Sequence, residues 1–227
     1  MSNQTTNQTM NENPRRKFLG QVLAGTAAGI TTLSVPFGAK AIPGSEDADE
    51  WFHRAKGKHR IVYDAPEPHE GMPFIWSWVY YLTNNSTGTP DNDMTVMVVL
   101  RHKAIPFAME DRLWEKYKLG EMFNIKDKTT GRPALRNPYY IPREGDFPFP
   151  EVQGIQALQG RGAMFCVCDM ALKVHSMRAA NATRLDPEEV RQDWIKGILK
   201  DIQIVPSGVW AVGRAQEHGF GYCYAGG

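Results

Sequence analysis

The sequence predicts an α/β layer fold built on a mainly parallel sheet. Three observations carry that expectation. Met94–Leu100 (MTVMVVL) and Ala163–Cys168 (AMFCVC) are almost continuously apolar, the pattern of strands buried on both faces. From His59 onward, strand-like segments alternate with helix-like ones, and parallel neighbours require such crossovers. Asp186-Pro187-Glu188-Glu189 is a helix start, with an acidic N-cap, proline at the first helical position and glutamate at the third.

Taken in order, residues 42–58 are rich in Gly, Asp, Glu and Lys and read as a linker into a domain spanning 59–227. His59 to Asp64 is a first strand, stopped by Pro66 and Pro68. The aromatic segment from Phe74 to Thr83 is a helix, and Asn84 to Pro90 a loop by its turn chemistry. Phe107 to Tyr117 follows the second strand as a helix, with Leu113, Trp114 and Tyr117 on one face. Residues 118–150 form a long Gly/Pro-rich loop, an insertion of the kind that is functional or mobile. Val152 to Gly160 is a helix ended by glycine, and Met170 to Ala180 is the helix after Cys168. The helix begun at Asp186 carries an apolar stripe of Val190, Trp194, Ile198, Leu199 and Ile202. Ile202 to Val205 is a short strand, Ser207 caps a helix running to Glu217, and Phe220 to Tyr224 is the last strand.

The first 41 residues carry a different signal. Arg15-Arg16-Lys17-Phe18-Leu19 precedes a Gly/Ala/Thr-rich apolar run to about Phe37, and Ala39-Lys40-Ala41 closes it. Adjacent arginines, a moderate apolar run and an A-x-A end resemble a twin-arginine (Tat) signal peptide cleaved after Ala41. That resemblance implies export of a folded chain to the periplasm or another extracytoplasmic space. Gly20, Gly25, Gly29 and Pro36 interrupt the run, which makes a permanent membrane anchor the poorer reading. No other apolar stretch approaches spanning length.

The signal holds four of the 26 Lys/Arg and one of the 25 Asp/Glu, leaving 22 and 24, a formal charge of −2. No basic excess exists to draw nucleic acid or anionic lipid. Three cysteines, Cys166, Cys168 and Cys223, allow one disulfide at most. Cys-x-Cys is too tight for an ordinary structural zinc pair. No motif names a cofactor.

The second half carries a family likeness. A helix ends in Gly160-Arg161-Gly162, an apolar strand stops at Cys168, and a helix follows. Ile204-Val205-Pro206-Ser207-Gly208-Val209 then leads to a helix with Ala215-Gln216-Glu217-His218-Gly219 and a terminal aromatic strand. Over His59 to Tyr224 this order resembles the DsrE/DsrF-like (YchN-like, sulfur-relay) family. The resemblance implies a three-layer α/β/α fold with a five-stranded sheet and a homo-oligomer, trimeric or hexameric. In sulfur-transferring members a cysteine at the end of the fourth strand carries a persulfide to a protein partner. That position falls on Cys168. Several members lack sulfur chemistry altogether. The 118–150 insertion and the export signal depart from the family pattern.

The candidate chemistry follows. Cys168 lies between a strand end and a helix start, where a thiolate, the reactive form, is stabilised. The adjacent Asp169 opposes ionisation, and an inert core thiol is the plainer alternative. Cys166 reads as core, and Cys223 as packed. His102, just past the second strand, reaches the same rim as a candidate acid/base, and Arg101 as an anion-binding residue. A solvated turn is the alternative for both. Asp64, His69 and Glu70 share that rim and could complete a mixed-ligand metal site with His102 and Cys168. His175 and Arg178 lie on the next helix, and His175 reads as a surface or interface residue rather than a catalytic one. The expected activity is sulfur handling at Cys168 with a small sulfur species. The alternatives are a non-catalytic binding module and a small redox or metal-binding protein.

Overall fold

The computed structural model describes residues 48–226. The signal motif Arg15 and Arg16 and the cleavage residues Ala39 and Ala41 lie outside the described residues. Five strands pair in parallel: β1 (His59–Ala65), β2 (Met94–Leu100), β3 (Met164–Cys168), β4 (Ile202–Val205) and β5 (Gly221–Tyr224). Their order is β4-β3-β2-β1-β5. Every residue of β2 and β3 is buried, as their unbroken apolar sequences require.

Alternate residues feed two cores. Tyr63, Ala65, Val96, Val98, Leu100, Phe165 and Val167 face the larger one. It is closed by α1 (Met72–Ser86), α2 (Asp111–Lys116), α3 (Leu119–Met122), α4 (Ile155–Gly160), α5 (Asp169–Thr183) and α6 (Pro187–Lys196). Val62, Met97, Val99, Cys166 and Val205 face the smaller core, under α7 (Gly208–Glu217). The result is a three-layer α/β/α fold. Trp51 and Phe52, in a 3-10 turn over Glu50–Arg54, belong to the smaller core. Lys56 is tied to β2 through Thr95 Oγ1, at 2.9 Å from its amide and 2.6 Å from its carbonyl. The lead-in is therefore packed from Ala48 onward, because its two aromatics find an apolar sheet face.

Tertiary contacts redraw several boundaries. The helix expected over Phe107 to Tyr117 is divided, since His102–Ala108 is a 3-10 segment containing Pro106 and Met109 is extended. Met109 bridges Ile198, with Glu110 N–H on the Gly197 carbonyl (3.0 Å) and Leu199 N–H on the Ala108 carbonyl (2.8 Å). The same bridge ends α6 at Lys196, so Ile198, Leu199 and Ile202 leave the expected helical stripe. Earlier in the chain, α1 runs through Ser86 into the expected loop. Asn84 Nδ2 and Ser86 Oγ there donate back to the Tyr80 and Thr83 carbonyls.

The insertion is neither loose nor structureless. Leu119, Phe123, Ile125, Ala134, Tyr139 and Phe147 are buried in the larger core. Asn137 Nδ2 donates to the Phe107 and Met109 carbonyls at 2.9 and 3.1 Å. Buried Asp146 takes both oxygens to Arg136 at 2.7 Å. Such pins satisfy the buried polar groups that a long loop would otherwise strand. Gly120 makes the docking possible, because a Cβ there would stand 2.2 Å from the Ala134 carbonyl oxygen.

Candidate functional site at the carboxyl rim of the sheet

Strand ends β1, β2 and β3 deliver their following residues to one rim, the usual ligand edge of a parallel sheet. Cys168 is the last residue of β3 and the N-cap of α5. Its Sγ accepts the Ala171 N–H at 3.4 Å. The thiol is 7% exposed and lines a cavity of about 500 Å³ with Arg101, His102, Met170, Val174, His175, Arg178 and the Ser207–Val209 turn. The N-termini of α5 and α7 thus meet at one cavity, and each brings unsatisfied amide groups and a positive dipole end. Cys168 closes the third strand along the chain, where the family likeness implied the fourth, because the segment between β2 and β3 folds as helix and turn.

Asp169 does not oppose the thiol from within the cavity. It is fully buried, with Arg191 Nη2 of α6 2.5 Å from Oδ1 and Lys173 Nζ, one turn on along α5, 3.4 Å from Oδ2. Cys166 lies in the smaller core, where burial and then the neighbouring Cys168 push its thiol pKa far up. All three cysteines are free.

Arg101 reaches the cavity already engaged. Its Nε and Nη2 grip Asp64 Oδ1 and Oδ2 at 2.6 and 2.9 Å, and Tyr222 O–H adds a third bond at 3.2 Å. The Asp64 hydrogen bonds raise the Arg101 pKa further. The fork that could clamp an anion is therefore filled by a carboxylate. Gly208 allows this path, since a Cβ there would sit 2.5 Å from Arg101 Cβ. His102 takes a left-handed backbone (φ 49°) and is 3.2 Å from Glu67 Oε1, which also pairs with Lys103 at 3.2 Å. Its exposed ring faces His175 edge-on at 6.1 Å.

The mixed metal site does not assemble. His69 is 2.8 Å from Tyr224 O–H, Glu70 pairs with Lys128, Asp64 with Arg101 and His102 with Glu67. Among the described residues no three His, Cys, Asp or Glu side chains come together as ligands.

The chain matches no family model, no curated protein and no solved structure.

His175 was the residue most misplaced by sequence reasoning. It is 5% exposed, its ring tilted against that of Phe123 of the insertion at 4.8 Å. Burial first, and then the charges of Arg178, His102 and Lys103, hold its pKa down to about 4. Ala171, Leu172, His175 and Ala179 lie at the three- and four-residue spacings of one buried helix face. That stripe was visible in the sequence, and it placed His175 inward and two turns from the thiol.

Proposed function

We propose that this chain, exported by the twin-arginine route, is a sulfur-handling protein in which Cys168 carries a sulfane sulfur. One observation carries the reading: a lone thiol caps a fifteen-residue helix at the carboxyl end of a parallel strand and borders a cavity. The amide hydrogen bond to Sγ suits a sulfur anion, whether thiolate or persulfide. In the reaction the Cys168 thiolate attacks the outer sulfur of thiosulfate. A sulfur–sulfur bond to Cys168 forms, the sulfur–sulfur bond of thiosulfate breaks, and sulfite leaves with the electron pair. A polysulfide reacts in the same way and leaves shortened by one sulfur. His102, at the cavity mouth, is the candidate to hold a proton for the departing group.

Exposed Val174 (50%) and Val209 (68%) border the same cavity. They favour a second component of the reading, in which an acceptor protein or a second copy of this chain docks over the thiol. The test is intact-mass spectrometry of the mature protein after thiosulfate or polysulfide treatment, with peptide mapping of the cysteines. We expect a gain of one sulfur atom on Cys168, absent in Cys168→Ala. A well-folded protein whose Cys168 stays unmodified would refute sulfur carriage.

A further inference from the structure

The walls of the Cys168 cavity are mainly apolar, with Met170, Ala171 and Val174 from α5 and Val209 from α7. Most of its polar groups are already engaged. Asp64 fills the fork of Arg101, Glu67 pairs with His102, and Ser207 Oγ holds the Trp210 amide. Arg178 differs: among the described residues it makes no ion pair, and its one hydrogen bond is to the neutral ring of His175. The cavity adjoins a groove of about 660 Å³ beneath the insertion, which His175 and Arg178 also line. A doubly charged inorganic ion gains nothing from such apolar walls and gives up hydration against them. An organic body with a single anionic group matches both the walls and the cation.

The helix sets the distance between thiol and cation. Ala171, Val174, His175 and Arg178 follow Cys168 at three- and four-residue spacings, so they lie along one side of α5. Side chains on a helix lean toward its N-terminus. Arg178 does so, with Nη1 3.4 Å from His175 Nδ1 one turn back. The guanidinium therefore stands near the level of His175, about 10 Å along the axis from Cys168 at a rise of about 1.5 Å per residue. Ala171 and Val174 fill the interval.

We infer that the cavity takes an organosulfur anion, with its sulfur at Cys168, a short apolar chain along Ala171 and Val174, and a carboxylate on Arg178. The inference rests on the sulfur-carrier reading for the reacting end and names its donor class, a carboxyalkyl persulfide. The Cys168 thiolate attacks the outer sulfur of the donor. The sulfur–sulfur bond to Cys168 forms, that of the donor breaks, and the carboxyalkyl thiolate leaves with the electron pair. Donor and acceptor visit the thiol in turn, so a protein can dock over Val174 and Val209 once the spent donor has left.

Calorimetry on the mature Cys168→Ala protein, with hexanoate and 1-hexanol as probes, tests the site without turnover. Hexanoate should bind about ten- to a hundredfold more tightly than 1-hexanol, the value of a hydrogen bond to a charged group. Arg178→Gln should remove that advantage and leave 1-hexanol unchanged, while Arg178→Lys, which keeps the charge, should retain most of it. Val209→Ser, at an exposed position, should weaken both probes about fivefold through lost apolar contact. Equal binding of the two probes, hexanoate binding unmoved by Arg178→Gln, or no binding of hexanoate to the folded parent overturns the assignment. With the native thiol, the persulfide of 6-mercaptohexanoate should load Cys168 faster than hexyl persulfide does. Arg178-dependent hexanoate binding with no sulfur loading from any donor would keep the anion site and refute the carrier. Loading at equal rates from both persulfides would keep the carrier and refute the donor class.

Discussion

His175 is a buried histidine, 5% exposed. Its pKa is held down to about 4 against an ordinary value of 6.5, first by burial and then by Arg178, His102 and Lys103. The unfolded chain therefore takes up that proton first as pH falls. Stability that the neutral ring contributes above pH 6.5 is lost between about 6.5 and 4. His175→Leu should flatten the fall in urea midpoint between pH 7 and pH 4.5, and an unchanged slope would refute the assignment. The two thiols of β3 should also part company. Iodoacetamide is expected to modify Cys168 in the native protein and to spare Cys166, whose thiol is fully buried and pushed up in pKa. Modification of both at equal rates would show that β3 opens as a unit. Of the candidate residues, Cys168 and His102 were legible because a cysteine or histidine just past an apolar strand must emerge on the rim. The engagement of Arg101 was not, since its partner Asp64 comes from another strand 37 residues away.

Between elements, α7 is set by two small features at its start. Ser207 accepts the Trp210 N–H at 3.2 Å, and Gly208 lets Arg101 pass beneath. Gly208→Ala should force Arg101 off Asp64, at a cost of about 1–3 kcal/mol for an overpacked site. A thermal unfolding midpoint equal to wild type would count against this. The α2–α6 contact is electrostatic in a different sense. Burial opposes ionisation of Asp193, but hydrogen bonds from Lys116 (2.7 Å), Tyr117 (2.7 Å) and Arg112 (2.5 Å) outweigh it, so its pKa falls well below the carboxylate range. Its contribution is present above the unfolded carboxylate pKa and is lost as pH falls below it. Asp193→Asn should cost about 1–3 kcal/mol at pH 7 and less at pH 2, read from denaturant midpoints at the two pH values. The N-cap at Asp186 was legible and formed as read, with its carboxylate on the Glu188 and Glu189 amides at 2.9 and 3.1 Å. The split near Met109 was not, because helical periodicity says nothing of the bridge to Ile198 that draws the chain out straight.

On the scale of the whole molecule, the insertion is part of the larger core and one wall of the groove beside His175. Gly120→Ala sets a Cβ against the Ala134 backbone, and should loosen residues 118–150 before the sheet. Hydrogen exchange should then quicken at Ile125 and Ala134, whose amides bond Gly120 and Ile125 at 2.7 and 2.9 Å, while β2 amides stay protected. Uniform acceleration would mean that insertion and sheet unfold together. The sequence by itself determined the α/β layering, the two buried strands β2 and β3, and the place of Cys168 between strand and helix. These are local matters of apolar runs, spacing and capping, which adjacent residues decide. Only the tertiary structure decided that the insertion packs, that Arg101 is neutralised by Asp64, and that His175 is buried against Phe123 of the insertion. Each of those depends on a contact between residues far apart in the chain, and such pairings are fixed by the closing of the sheet and its layers rather than by any neighbouring sequence.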